Sequence, residues 1–319
     1  MSKLFLHFSL LISTFTFVAD YCPAQGSKNQ KTDLLVSPSW LEAEMKSNSN
    51  LRIIDLAFRK TNFKTGHIPG AVFLDWRTDI IDSENTDMYR LPEKQAFEKL
   101  LSRIGVSADT TVVLTDNMFN RASVRMYYTL KYFGHKDVRI LNGGTKNWDA
   151  TGKKLTTDIT KVERSNYKVR EANEDYVIKL EAVKKAIGSD QQIIDGRPID
   201  QFTGKLPGKV FHTNKAHKRL GHLPDSINVP WMENLNKDGT FKSLKNLREL
   251  YASHGIDVDG DGEVVTYCNE GLHAAMPWFI LRELFGNEEI RLYDDSMAEW
   301  ANREDTPLEK SESAQAEGK

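Results

Sequence analysis

Two cysteines occur in the 319-residue chain, Cys22 and Cys268, and the surroundings of the second are those of a reactive thiol. The β-branched run Glu263-Val264-Val265-Thr266-Tyr267 ends at Cys268, and helix formers run from Met276 to Phe285. A cysteine between a strand and a helix N-terminus meets converging backbone N–H groups and the positive end of the helix dipole. Both favour the thiolate, so the expectation is a thiol pKa below that of free cysteine and a nucleophile at this position. The competing reading is a buried structural cysteine.

The residues after Cys268 are Asn269, Glu270, Gly271, Leu272 and His273. A tight loop of this length wraps its N–H groups around the sulfur, and Gly271 supplies dihedrals that other residues avoid. Pro277 falls in the first helical turn, where a missing N–H costs little. Cysteine-dependent phosphatases carry an arginine six residues after the cysteine to fork the phosphate; that position is Ala274, which argues against a phosphatase or arsenate reductase. Asp257-Val258-Asp259-Gly260-Asp261-Gly262 begins like a calcium loop, but its twelfth position is Cys268 rather than a bidentate Glu, so it reads as a turn before the strand.

The elements that place Cys268 repeat along the chain. Ile53-Ile54-Asp55 followed by Gly66-His67-Ile68-Pro69-Gly70-Ala71 matches Ile193-Ile194-Asp195 followed by Gly221-His222-Leu223-Pro224. Val112-Val113-Leu114-Thr115-Asp116-Asn117 matches Val264-Val265-Thr266-Tyr267-Cys268-Asn269, so Asp116 stands where the second half has Cys268. Helical patterns then end at Gly134 and Gly286, strands follow at Val138–Leu141 and Ile290–Tyr293, and a tryptophan closes each half, Trp148 or Trp300. Helices are expected at the start of each half, one capped by Ser37 with Pro38 at its first position and one over Glu174–Ile187. Strands alternating with amphipathic helices give an α/β fold: two tandem domains, each a mostly parallel sheet flanked by helices, with ligands at the strands' carboxyl ends. The expected layout is a signal peptide over 1–25, a domain over 33–155, a linker over 156–172, a catalytic domain over 173–305 and a disordered tail over 306–319. Lys3 and the apolar run Leu4–Val18 carry the secretory pattern, which leaves Cys268 as the sole thiol of a secreted or periplasmic protein; an uncleaved anchor is the alternative. Lys and Arg total 43 against 45 Asp and Glu, and no basic stripe with aromatics appears, so nucleic-acid and membrane-surface binding are not expected.

The whole pattern resembles the two-domain rhodanese sulfurtransferases over about residues 34–305. Gly66-His67-Ile68-Pro69-Gly70-Ala71 matches the family's N-terminal signature and Tyr293-Asp294-Asp295-Ser296-Met297-Ala298-Glu299-Trp300 its C-terminal one, with Leu141-Asn142-Gly143-Gly144 the counterpart in the first half. The resemblance implies Cys268 as catalytic residue, sulfur transfer from a donor such as thiosulfate to cyanide or a thiol through a Cys268 persulfide, no metal or organic cofactor, and partners limited to small donors and acceptors or a thiol-containing protein. Asn269, Glu270, Gly271, Leu272, His273 and Arg197 are the implied substrate-binding residues. Departures bear on the donor. The loop lacks both the basic residues of thiosulfate enzymes and the Gly-Val-Thr of mercaptopyruvate enzymes, and Gln201 replaces a usual arginine before Phe202. Glu270 opposes an anionic donor unless it points to solvent, and His273 offsets it if protonated. Lys205 and Lys209 are compensating cations or a solvated face, and Arg197 either faces the site or pairs with a local carboxylate. His67 and His222 read as structural, with His67 as an alternative cleft residue. Thiosulfate is the first-choice donor; mercaptopyruvate, a persulfide carrier and a non-catalytic binding module are the alternatives.

Overall fold

The computed structural model describes residues 32–82 and 89–311. The signal-peptide expectation over 1–25 lies outside them, as do residues 312–319 of the expected tail. In the first half the strands are β1 (Leu35–Val36), β2 (Leu51–Asp55), β3 (Ala71–Phe73), β4 (Thr111–Thr115) and β5 (Val138–Leu141), with helices α1 (Pro38–Ser47), α2 (Lys60–Thr65), α3 (Lys94–Arg103), α4 (Arg121–Tyr132) and α5 (Gly144–Ala150). In the second half they are β6 (Gln192–Asp195), the hairpin β7 (Lys209–Val210) and β8 (Lys215–Ala216), β9 (Ser226–Asn228), β10 (Val264–Tyr267) and β11 (Ile290–Leu292), with α6 (Leu180–Ala186), α7 (Ile199–Phe202), α8 (Leu244–Ser253), α9 (Ala275–Trp278) and α10 (Ser296–Trp300).

Two parallel sheets result, ordered β1-β5-β4-β2-β3 and β11-β10-β6-β9. The fifth position of the second sheet is a single parallel bridge, Val177 to Leu292. Every residue of β4 and β10 is buried, which their β-branched, apolar runs favour. Each therefore delivers its last residue, and the loop after it, to the carboxyl edge of its sheet. Ser37 caps α1 by accepting from Trp40 N at 3.1 Å. The helix expected over Glu174–Ile187 is shorter: Glu174–Tyr176 is a 3₁₀ turn, Val177 is drawn into the sheet, and α6 begins at Leu180. The helix after Cys268 is α over Ala275–Trp278 and π over Phe279–Leu284.

The two halves share one core. Tyr127 and Tyr128 of α4 meet Phe279 and Trp278 edge-on at 4.8 Å, and Tyr127 Oη donates to the buried Glu283 at 2.9 Å. The chain after each closing tryptophan folds back onto its own Gly-His motif. Trp148 Nε1 donates to Lys154 O while Thr156 and His67 exchange backbone bonds. Trp300 Nε1 likewise donates to Pro307 O, and Glu309 pairs with His222. This corrects the disordered-tail expectation for residues 306–311: backbone hydrogen bonds, which composition does not display, hold them. Asp257 to Gly262 is a turn, with Asp257 accepting from Asp259 N at 3.0 Å and Asp259 paired with Arg248. Among the described residues no helix is long and apolar enough to cross a membrane.

Candidate active site

Cys268 follows β10 and is fully buried. Its Sγ accepts from Glu270 N at 3.4 Å, and the N–H groups of His273 and Ala274 also turn toward it. The loop forms because Gly271 adopts φ +81°, and an added Cβ there would stand 2.5 Å from Asp294 Oδ1 and 2.8 Å from Arg125 Nη1. Arg125, from α4 of the other half, is fully buried, pairs with Asp294 and donates to Tyr89 O at 3.1 Å. The interdomain ion pair thus sits directly against the back of the loop. Asp294 in turn accepts from Leu91 N at 2.9 Å.

The expectation of an acidified thiol is overturned. Burial pushes the Cys268 thiol above its ordinary value; the three N–H groups lower it and the Glu270 carboxylate raises it, but desolvation is the largest effect. The sequence shows the strand end and the helix, not how deeply the overlying residues bury the sulfur.

Asn269 turns away from the sulfur: its Oδ1 contacts His217 Nε2 at 3.0 Å and its Nδ2 donates to Gln201 Oε1 at 2.8 Å. Two departures from the family pattern, Gln201 and Asn269, therefore satisfy each other. Glu270 does not point to solvent. It is 1% exposed, its Oε2 meets His212 Nδ1 at 2.8 Å, and burial raises its carboxyl. His273 is not a cation: burial, reinforced by the Arg121 charge, lowers it to about 3, so the ring is neutral near pH 7. It stacks on Trp231 with centroids 5.1 Å apart, and its Nε2 lies 3.3 Å from Arg121 Nη1. Leu272 is buried in the shared core. Arg197 resolves toward its local carboxylate: Nε and Nη2 meet Asp195 at 2.6–3.0 Å, and Nη2 also donates to Gly221 O at 2.9 Å. Lys209 bonds Asn214 at the hairpin tip, and Lys205 is exposed. His67 and His222 are structural in matching ways. Each stacks on a phenylalanine at 3.7 Å and 11°, with Nδ1 against that phenylalanine's carbonyl, so His67 does not reach the cleft.

Three residues escaped the reading of the sequence. Ser296 holds φ +47°, and its Oγ accepts from Cys268 N at 3.1 Å while donating to Tyr293 O at 2.7 Å. The signal was available, since the repeat aligns Ser296 with Gly144, which also has positive φ. His212 and Arg121 come from a hairpin and from the other half, and no local spacing points to either.

In the first half Asp116 fills its own loop. Oδ1 accepts from Met118 N at 2.7 Å and Asn120 N at 2.9 Å, and Oδ2 from Ser123 N at 2.8 Å and Ser123 Oγ at 2.9 Å. The loop that lacks the cysteine is an anion cradle occupied by its own carboxylate.

The rhodanese-like domain matches the chain twice, at residues 37–151 and 179–303. The chain belongs to the rhodanese family. Over 279 residues it is 34% identical to a Mycolicibacterium smegmatis protein named "Putative thiosulfate sulfurtransferase", covering 88% of this chain and 98% of that one. Over 287 residues it is 33% identical to "Sulfur carrier protein TtuD" of Thermus thermophilus, with 88% and 98% covered. Among solved structures, the anaerobic ergothioneine biosynthesis enzyme of Chlorobium limicola superposes with a TM-score of 0.75 at 21% identity, over 87% of this chain and 70% of that one; at that identity the fold is what is shared. The second rhodanese match contains Cys268, and the first contains Asp116.

Proposed function

We propose that this rhodanese-family protein is a thiosulfate sulfurtransferase working through a Cys268 persulfide. Sulfur transfer in general rests on the two family matches and the relatives named for it. The finer reading rests on one observation: the lone thiol among the described residues sits in a cradle of three N–H groups. Cys268 loses its proton to solvent, the thiolate Sγ attacks the outer sulfur of thiosulfate, the donor's S–S bond breaks, and sulfite leaves with the electron pair. Cyanide or a thiol then removes the outer sulfur as thiocyanate or a persulfide, and Cys268 returns as the thiolate. Cradle N–H groups suit the persulfide anion better than the thiol, because that anion's charge extends beyond the first sulfur toward their donors. A second reading, delivery to a dedicated protein thiol, is favoured by the carrier name of the Thermus relative. Export to a secreted or periplasmic compartment is part of the proposal and rests on the N-terminal sequence pattern alone.

Mass spectrometry after exposure to thiosulfate or mercaptopyruvate, followed by cyanide and thiocyanate assay, tests this. One sulfur gained at Cys268 from thiosulfate, lost to cyanide and absent in Cys268→Ser, is expected. A gain from mercaptopyruvate alone replaces the donor. Stable persulfide with slow cyanide turnover favours the carrier reading, and no gain from either donor defeats sulfur transfer from these compounds.

A further inference from the structure

We propose that Arg121, supplied by the half that lacks the cysteine, recognises the oxyanion of the sulfur donor at the Cys268 site. The proposal rests on the sulfur-transfer reading and names the group that binds the charged end of the donor.

Arg121 is the first residue of α4, five positions after Asp116, yet its side chain belongs to the other half's site. Its guanidinium lies 5.1 Å from the ring centroid of Phe211 and 4.9 Å from that of Trp231, so two rings of the second half pack against the cation. Nη1 reaches His273 Nε2 at 3.3 Å, and the backbone N–H of the same His273 faces Cys268 Sγ. One residue therefore links the guanidinium to the sulfur cradle. Nε donates to Met118 O at 3.1 Å, while Nη2 makes no hydrogen bond to any described residue.

The charge balance makes this arginine distinctive. Arg125 and Arg197, two other arginines close to the loop, are each paired with a buried aspartate, Asp294 and Asp195. Among the described residues Arg121 forms no ion pair; the carboxylate whose charge reaches it, Asp116, has its oxygens taken up by its own loop's N–H groups and Ser123 Oγ. Glu270 adds a buried carboxylate near the sulfur, so an incoming dianion needs a cation nearby. His273 does not supply it, since it is neutral, and Gln201 is uncharged. When Nε2 accepts from Arg121, the ring proton sits on Nδ1, which is buried without a partner among the described residues. The structure thus leaves two donors of one contact pair unspent beside the cradle. A guanidinium packed against two rings presents its remaining N–H groups as a planar fork, the geometry that suits a sulfonate or sulfite oxygen pair. Arg121 meets that group while it is part of thiosulfate and again as the departing sulfite; total charge is conserved, since the dianion and thiolate become sulfite dianion and persulfide anion.

The test uses one pair of alkylating reagents and thiosulfate turnover on the full chain. Iodoacetate and iodoacetamide alkylate Cys268 by the same chemistry and differ in charge, and neither requires sulfur transfer. In Arg121→Gln the iodoacetate rate and the kcat/KM for thiosulfate should each fall about ten- to a hundredfold, the size expected for losing one charge-assisted contact, with the thiosulfate loss mainly in KM. The iodoacetamide rate should stay within about twofold, and Arg121→Lys should recover part of the loss, because a point charge replaces the fork. Equal falls with both alkylating reagents, or no fall with iodoacetate, would overturn the role of Arg121. Failure of the wild-type protein to take sulfur from thiosulfate would instead overturn the underlying donor reading, whatever the alkylation ratio.

Discussion

Asp116 and Cys268 follow corresponding strands, and in both halves the next residues turn N–H groups onto the side chain. The first cradle holds a carboxylate through four bonds of 2.7–2.9 Å; the second holds a neutral sulfur, with Glu270 N at 3.4 Å. Four hydrogen bonds to one side chain make the first loop a closed structural unit, whereas the second holds its sulfur by longer contacts and, on the proposed reading, has capacity left for an anion formed during sulfur transfer. The aspartates of the preceding strands differ as well. Asp195 has Arg197 two residues on, whereas Asp55 has Ala57. Burial and the neighbouring Asp116 raise Asp55 to about 7, and its Oδ1 has no hydrogen-bond partner among the described residues. One copy of the repeat thus fills its loop with its own side chain, and the proposed function has the other receive an anion there.

Replacing Asp116 with Ala removes the internal anion and strands its buried N–H donors, which should cost about 3–5 kcal/mol by denaturant unfolding. A cost below about 1 kcal/mol would mean that water or loop rearrangement satisfies those donors equally well. Gly271→Ala should cost about 2–4 kcal/mol and suppress persulfide formation, through strain at φ +81° and the clash with Asp294 and Arg125. Wild-type activity and melting temperature in that variant would show that the cradle tolerates another loop shape.

Asp55→Asn tests the missing arginine. A carboxyl raised to about 7 binds its proton more tightly in the folded state, so its contribution to stability is full below the unfolded value near 4 and is lost as pH rises through 7. The variant should therefore gain about 1–3 kcal/mol over wild type at pH 8 and little at pH 4. A gap that does not widen with pH would break the contrast with Asp195. Ser296→Gly gives the second half the glycine found at Gly144. Relief of the positive φ should nearly offset the lost bond to Cys268 N, leaving stability within about 1 kcal/mol while turnover falls. Unchanged turnover would remove Ser296 from the site's support. Finally, iodoacetamide should label resting Cys268 with a pH midpoint above about 8.5, because burial outweighs the cradle. A midpoint below that value would restore the helix-dipole expectation.

The repeat, the parallel α/β sheets and the position of Cys268 were legible in the chain, because β-branched runs, punctuating glycines and paired Gly-His motifs are local signals. Gly271 was legible for the same reason, as a loop this tight demands its dihedral freedom. The packed segment 306–311 was not, since backbone bonds between Glu309 and His222 hold it and few apolar residues mark it.

Sequence by itself therefore determined where along each half the loop after its central strand falls, and that the thiol heads the loop of the second half. Tertiary structure decided the charge state and reach of everything around that residue. It buried Cys268 and raised its pKa, neutralised His273, turned Glu270 inward onto His212, paired Asn269 with Gln201 and Arg197 with Asp195, and brought Arg121 across from the other half. The physical reason is range. Periodicity and turn chemistry act over a few neighbouring residues, whereas desolvation and Coulomb interactions depend on which distant segments close over a group, and Arg121 and His273 are 152 positions apart in the chain.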